Sequence, residues 1–174
     1  VNVGKGFKIP RNPFDKERAC GGSSGGAAGF TQKADFTHIA IGESTGGSIA
    51  APSSFCGVNG LCPTYGLVSR YGLIDYSNSL DKVGPIGKYV DDIELMLNII
   101  KGKDKYDSTS LSNELKKGKK VKKVALFKES LDVDKNISDK ILEKLNRTKV
   151  KYEKVSLPLT SKYGVYAYYI IAMS

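Results

Sequence analysis

A single histidine, three cysteines and the absence of any run of about 18 apolar residues set the first limits on this chain. A bilayer-spanning helix needs roughly 20 such residues, and no signal-peptide pattern opens the sequence. A cytoplasmic protein without a membrane-spanning helix is therefore expected. Cys20, Cys56 and Cys62 are an odd count and match no zinc-ligand spacing, with only His38 to assist them. They read as buried or idle thiols of a reducing compartment. The opening at Val1 and the ending at Ser174, just after "YAYYIIAM", read as a piece of a longer chain.

The formal net charge is +9. Much of it lies in "KGKDKYDSTSLSNELKKGKKVKKV", residues 101–124. One reading is a solvated loop; the other is a surface that meets RNA phosphates through sequence-independent attraction. Few aromatics interleave these lysines, which argues against base stacking.

Periodicity outlines an α/β chain. Residues 25–35 form a short helix, "HIAIG" (38–42) a short buried strand and "STGGSIAAPSSF" a tight turn. Residues 57–85 read as short strands and ordered loops in which Val58, Leu61, Leu67, Val68, Leu73 and Ile74 require burial. "KYVDDIELMLNIIKG" (88–102) is a helix with Val90, Ile93, Leu97 and Ile100 on one face and a stop at Gly102. The second half alternates strand (123–129), amphipathic helix (136–147), strand (152–158) and a terminal helix.

Two glycine-serine turns, "GGSSGG" at 21–26 and "STGGS" at 44–48, flank the first strand. Three readings compete. A phosphate cradle of the Walker type needs Lys-Ser/Thr after its glycines, which both turns lack, and no G-x-G-x-x-G with a later acidic partner is present. Close packing of small residues suits Gly25, Gly26, Ala27 and Ala28 but not the serines, because buried hydroxyls need partners. The third reading is nucleophilic catalysis, in which serine needs a base. His38 has no acidic orienter, so a Ser-His-Asp triad is not indicated. A lysine acting through a second serine is the alternative. Glycine-rich backbone around each serine would permit close approach and supply N–H groups to an oxyanion.

"GGSSGGAA", "STGGSI" and "PSSFCGVNGLCPTYGLVSRYGLIDYSNSLDKVGP" together resemble the amidase signature family. The stretch from "PTYGLVSRYG" onward is most similar to the branch forming the A subunits of glutamine-dependent tRNA amidotransferases, which act on Glu-tRNA(Gln) or Asp-tRNA(Asn). The resemblance is dense from about residue 7 to 110 and thinner beyond. It implies a mixed β-sheet covered by helices on both faces, incomplete here, with residues 1–174 as the central part of one domain. By the same resemblance Ser48 is the acyl-ester nucleophile. Ser23, after a cis peptide, is the bridging serine, and the N–H groups of Thr45, Gly46, Gly47 and Ser48 form the oxyanion hole.

The resemblance further implies a catalytic lysine upstream of these residues and substrate-gripping residues downstream of them, so that residues 1–174 alone would be inactive. Glutamine is the implied substrate. B and C subunits are the implied partners. ATP and magnesium are implied at the B subunit, with no cofactor or metal in this one. Misacylated tRNA is reached through the complex. A general amidase acting on small amides and a non-catalytic truncated piece are the alternatives. Three positions depart from the commonest family pattern: Ser44 for aspartate, Ala50 for arginine and Cys62 for lysine.

Overall fold

The computed structural model describes residues 6, 8–112, 123–148 and 150–174. They fall into two compact units, Val1–Glu114 and Leu115–Ser174. Of the lysine-rich segment 101–124, residues 113–122 lie outside the described residues.

In the first unit the order is α1 (Gly25–Lys33), β1 (Ile39–Ser44), α2 (Ala50–Cys56), β2 (Asn59–Gly60), β3 (Lys82–Gly87) and α3 (Val90–Ile100). The strands form one antiparallel sheet in the order β1-β3-β2. Ile39 lies opposite Gly87 and Ser44 opposite Lys82. Strand side chains alternate between faces, and the two faces meet different helices. A Cβ on Gly42 would press on Ser24 and Ile49, beside α1 and α2, whereas one on Gly87 would press on Asp92 and Ile93 of α3. Helices therefore cover both sides of this sheet. Cys20, Ala28, Ile49, Cys56 and Ile86 are fully buried together, with Ala27, Ala40 and Val58 against them.

Close approach explains two glycines. A Cβ on Gly42 would lie only 2.9–3.0 Å from side-chain atoms of Ser24, Ile49 and Ile86. At Gly84 a Cβ would lie 2.0 Å from the Leu61 carbonyl oxygen. Larger side chains at either position would separate the layers.

The stretch expected to be a tight turn instead continues into helix α2. Pro52 sits in that helix's first turn, where a missing N–H breaks no intrahelical bond. The "HIAIG" strand is not buried throughout: Ile41 is 54% exposed, on β1 at the edge of the sheet. Ile74, expected inside, is 95% exposed. Its loop is ordered by polar contacts instead. The Arg70 guanidinium donates to Tyr65 Oη at 2.8 Å and to Thr109 Oγ1 at 3.1 Å, and Arg70 N–H donates to Asp107 at 2.9 Å. The Thr109 hydroxyl and the Arg70 N–H hold the Asp107 carboxyl below its ordinary pKa. On α3, Ile93 is buried while Val90, in the first turn, is exposed. Asp91 and Asp92 occupy that turn, where negative charge suits the helix dipole.

In the second unit β4 (Lys123–Phe127) pairs in parallel with β5 (Lys151–Val155). Parallel neighbours need a crossover. It comprises a 3-10 turn (Lys128–Leu131) and α4 (Lys135–Arg147). Asp134 starts α4 by accepting the Asn136 N–H at 2.9 Å. The final helix, α5 (Pro158–Met173), opens on proline. With antiparallel pairing in one unit and parallel pairing in the other, the chain is mixed α/β, the class expected from its sequence. None of the described helices is long and apolar enough to cross a membrane.

Candidate active site

The first serine turn leads into α1. Its Gly22–Ser23 peptide is cis, as the resemblance implied. Ser23 is exposed, while Ser24 is half-buried at the helix start. Ser24 makes the connection to the second turn. Its N–H donates to the Ser48 carbonyl at 3.1 Å, and its hydroxyl donates to the Glu43 carbonyl at 3.1 Å. Two backbone turns separated by a strand are thus tied through one residue.

The second turn spans Thr45–Ser48, between the end of β1 and the start of α2. Ser48 is half-buried and precedes Ile49, a fully buried member of the core. Burial of Ile49 anchors the turn from below. Among the described residues the N–H groups of Gly46, Gly47 and Ser48 have no hydrogen-bond acceptor. A Cβ on Gly47 would meet no atom within 4 Å. Unpaired donors beside open space are what a developing oxyanion requires.

Behind the turn lies a polar cluster that sequence reasoning did not single out. Thr45 Oγ1 is 2.6 Å from Asp81 Oδ1 and 3.0 Å from Glu43 Oε1. Asp81 is fully buried, and its Oδ2 accepts the N–H groups of Tyr76 at 2.7 Å and Ser77 at 2.9 Å. Burial raises the Glu43 pKa above its ordinary value, and the nearby Asp81 adds to the rise, while Thr45 and Lys82 oppose it. Asp81 stands in "SLDKVGP" and Ser24 in "GGSSGG". Their spacing in sequence holds no sign that either meets the second turn.

His38 belongs to neither turn's hydrogen bonding. Its Nδ1 lies 3.0 Å from Thr31 Oγ1, and its ring packs edge-on against Phe30 and Phe36, with centroids 4.9 and 6.1 Å away. Lys82 and Lys88 donate to the carbonyls of Leu80 and Ala34, not to a serine. Cys20 and Cys56 are buried and Cys62 is exposed. Of the three departures from the family pattern, Ser44 is buried and Ala50 and Cys62 are exposed.

A strand, a serine-bearing glycine turn and a helix, docked on a second serine turn, define an α/β protein built around paired serine turns. The amidase family model matches residues 3–174, and the chain belongs to that family. It is 44% identical over 174 residues to the A subunit of glutamyl-tRNA(Gln) amidotransferase from Archaeoglobus fulgidus, covering 97% of this chain and 37% of that protein. The corresponding A subunit from Thermodesulfovibrio yellowstonii is 46% identical over 182 residues, with the same coverage. The crystal structure of the A subunit of glutamyl-tRNA(Gln) amidotransferase from Thermotoga maritima superimposes with a TM-score of 0.81 at 40% identity, covering 94% of this chain and 38% of that one. The chain thus spans about 37% of the length of the curated relatives it matches.

Proposed function

We propose that this chain is the nucleophile-bearing part of a glutamine-hydrolysing A subunit of a tRNA amidotransferase. The observation that carries the reading is the Ser24–Ser48 main-chain hydrogen bond, which joins the two serine turns. The relatives from Archaeoglobus fulgidus, Thermodesulfovibrio yellowstonii and Thermotoga maritima are A subunits of glutamyl-tRNA(Gln) amidotransferases, which favours the tRNA branch over a general amidase.

In this reading Ser48 Oγ attacks the carboxamide carbon of glutamine. Its proton passes through Ser23 to a lysine supplied from outside residues 1–174. The N–H groups of the Thr45–Ser48 turn hold the oxyanion. Collapse of the tetrahedral intermediate breaks the C–N bond, and the nitrogen leaves as ammonia after taking a proton. Water then cleaves the glutamyl ester and releases glutamate. Ammonia reaches the B subunit, where ATP and magnesium serve activation of misacylated Glu-tRNA(Gln) or Asp-tRNA(Asn), with a C subunit completing the complex. This subunit binds no cofactor or metal of its own and works in the cytoplasm. Residues 1–174 form the central part of a single amidase signature domain and are inactive alone.

The test is mass spectrometry of the full-length protein quenched during glutamine turnover. A glutamyl adduct on the peptide carrying Ser48 is the expected result; an adduct on Ser23, or on neither, overturns the assignment.

A further inference from the structure

The cluster of Glu43, Thr45 and Asp81 has too few hydrogens for its contacts if both carboxyls are ionised. A hydroxyl has one hydrogen. At 2.6 Å the Thr45 hydroxyl donates to Asp81 Oδ1, the shorter of its two contacts. Asp81 Oδ2 already accepts two backbone N–H groups, which makes Asp81 the acceptor of the pair. Thr45 Oγ1 is then left facing Glu43 Oε1 at 3.0 Å with only lone pairs to offer. Two oxygens without a hydrogen between them repel at that distance. A hydrogen on the Glu43 carboxyl turns the contact into a bond.

We infer that the Glu43 carboxyl carries a proton and donates it to Thr45 Oγ1, making Glu43 and Asp81 positioning residues for the Thr45–Ser48 turn. The chain of bonds runs from Glu43 at the end of β1, through Thr45, to Asp81 at the entrance of β3. It fixes the first residue of the turn on two sides, while buried Ile49 fixes its far end. The N–H groups between are thereby held in one orientation. Burial is the largest cause raising the affinity of Glu43 for its proton and the Asp81 charge adds to it, against the opposing pull of Thr45 and Lys82. The charged groups that face Glu43 are Asp81 and Lys82. As pH rises and Glu43 ionises, two carboxylates compete for one hydroxyl hydrogen, and the turn loses one of its two supports.

This inference rests on Ser48 being the nucleophile, and the test separates the two. In the full-length protein, the infrared difference between wild type and Glu43→Gln should contain the carbonyl stretch of a protonated carboxyl at neutral pH. That measurement does not depend on which serine reacts. Glutamine turnover is followed in parallel. Glu43→Ala should lower kcat about 100-fold with little change in KM, the size of effect expected when reacting groups are misplaced by a fraction of an ångström to an ångström. Wild-type kcat should decline on the alkaline side relative to Glu43→Gln, whose amide donates at every pH. Absence of the protonated-carboxyl band, or identical pH profiles for wild type and Glu43→Gln, would overturn the inference. An active Ser48→Ala variant would instead overturn the nucleophile assignment while leaving the band to report on Glu43.

Discussion

The N–H of Ser24 donates to the carbonyl of Ser48, far along the chain beyond α1 and β1, so the two serine turns keep their spacing through backbone rather than through flexible side chains. Main-chain placement is what an activated hydroxyl needs, since small displacements are costly in rate. Ser48→Ala in the full-length complex should lower glutamine-dependent turnover by about 10⁴-fold or more. Free ammonia as nitrogen donor should restore amide transfer. Kinetics with glutamine and with ammonium salts, run side by side, check both statements.

Ser23 and Ser24 should separate cleanly despite being neighbours. Ser24→Ala keeps the main-chain bond and loses only the hydroxyl bond to the Glu43 carbonyl. It should cost about 1 kcal/mol of stability and modest activity. Ser23→Ala removes the proposed relay and should slow acyl-enzyme formation sharply while leaving the unfolding midpoint near wild type. Pre-steady-state ammonia release and urea unfolding distinguish the two.

The glycines Gly42 and Gly84 give a graded stability prediction. At Gly42 the atoms in the way belong to side chains, at 2.9–3.0 Å, and can shift. At Gly84 the obstruction is the Leu61 carbonyl at 2.0 Å, part of a backbone that pairs through Leu61 N–H to Pro85. Gly84→Ala should therefore destabilise by about 3 kcal/mol, and Gly42→Ala by about 1–2 kcal/mol. Equal midpoints of urea unfolding would contradict this ordering.

Much of this architecture was legible from pattern. The alternation of the second half gave β4, α4 and β5 within a few residues, because a helical period and β-branched runs are local signals. The paired serine turns were visible as composition. What was not visible depends on contacts between distant segments. Asp81 is a carboxylate in a loop until the fold carries it against Thr45, and Ile74 is indistinguishable in sequence from a core isoleucine. Its loop owes its order to Arg70 and Asp107, so apolarity there was a poor guide to burial. Helix α2 was missed because small residues and Pro52 resemble a turn until Ile49 is anchored in the core.

His38 should prove structural. Its ring nitrogen meets Thr31 and its ring packs against two phenylalanines. His38→Ala should destabilise the protein by about 1–2 kcal/mol through the lost hydrogen bond and aromatic contacts. Turnover per folded molecule should stay close to wild type. Activity measured at a temperature well below the unfolding midpoint tests this, and a collapse of kcat there would restore a histidine mechanism.

The buried Cys56 thiol sets an alkaline limit on stability. Burial, with help from the adjacent Cys20, pushes the Cys56 thiol from 9.0 up to about 12. Below pH 9 the thiol is protonated in both the folded and unfolded states, and Cys56 adds no pH dependence. Above it the unfolded state releases the proton while the folded state keeps it. The unfolded state is then favoured progressively, by up to about 1.4 kcal/mol per pH unit, until pH reaches the folded value near 12. The informative quantity is a difference between variants. Denaturant unfolding should show wild-type stability falling more steeply than that of Cys56→Ala as pH rises from about 9. The same burial predicts the order of alkylation: exposed Cys62 reacts with iodoacetamide in the native protein, whereas Cys20 and Cys56 react only on unfolding. Parallel pH curves for the two proteins, or early modification of Cys56, would contradict the buried, protonated thiol.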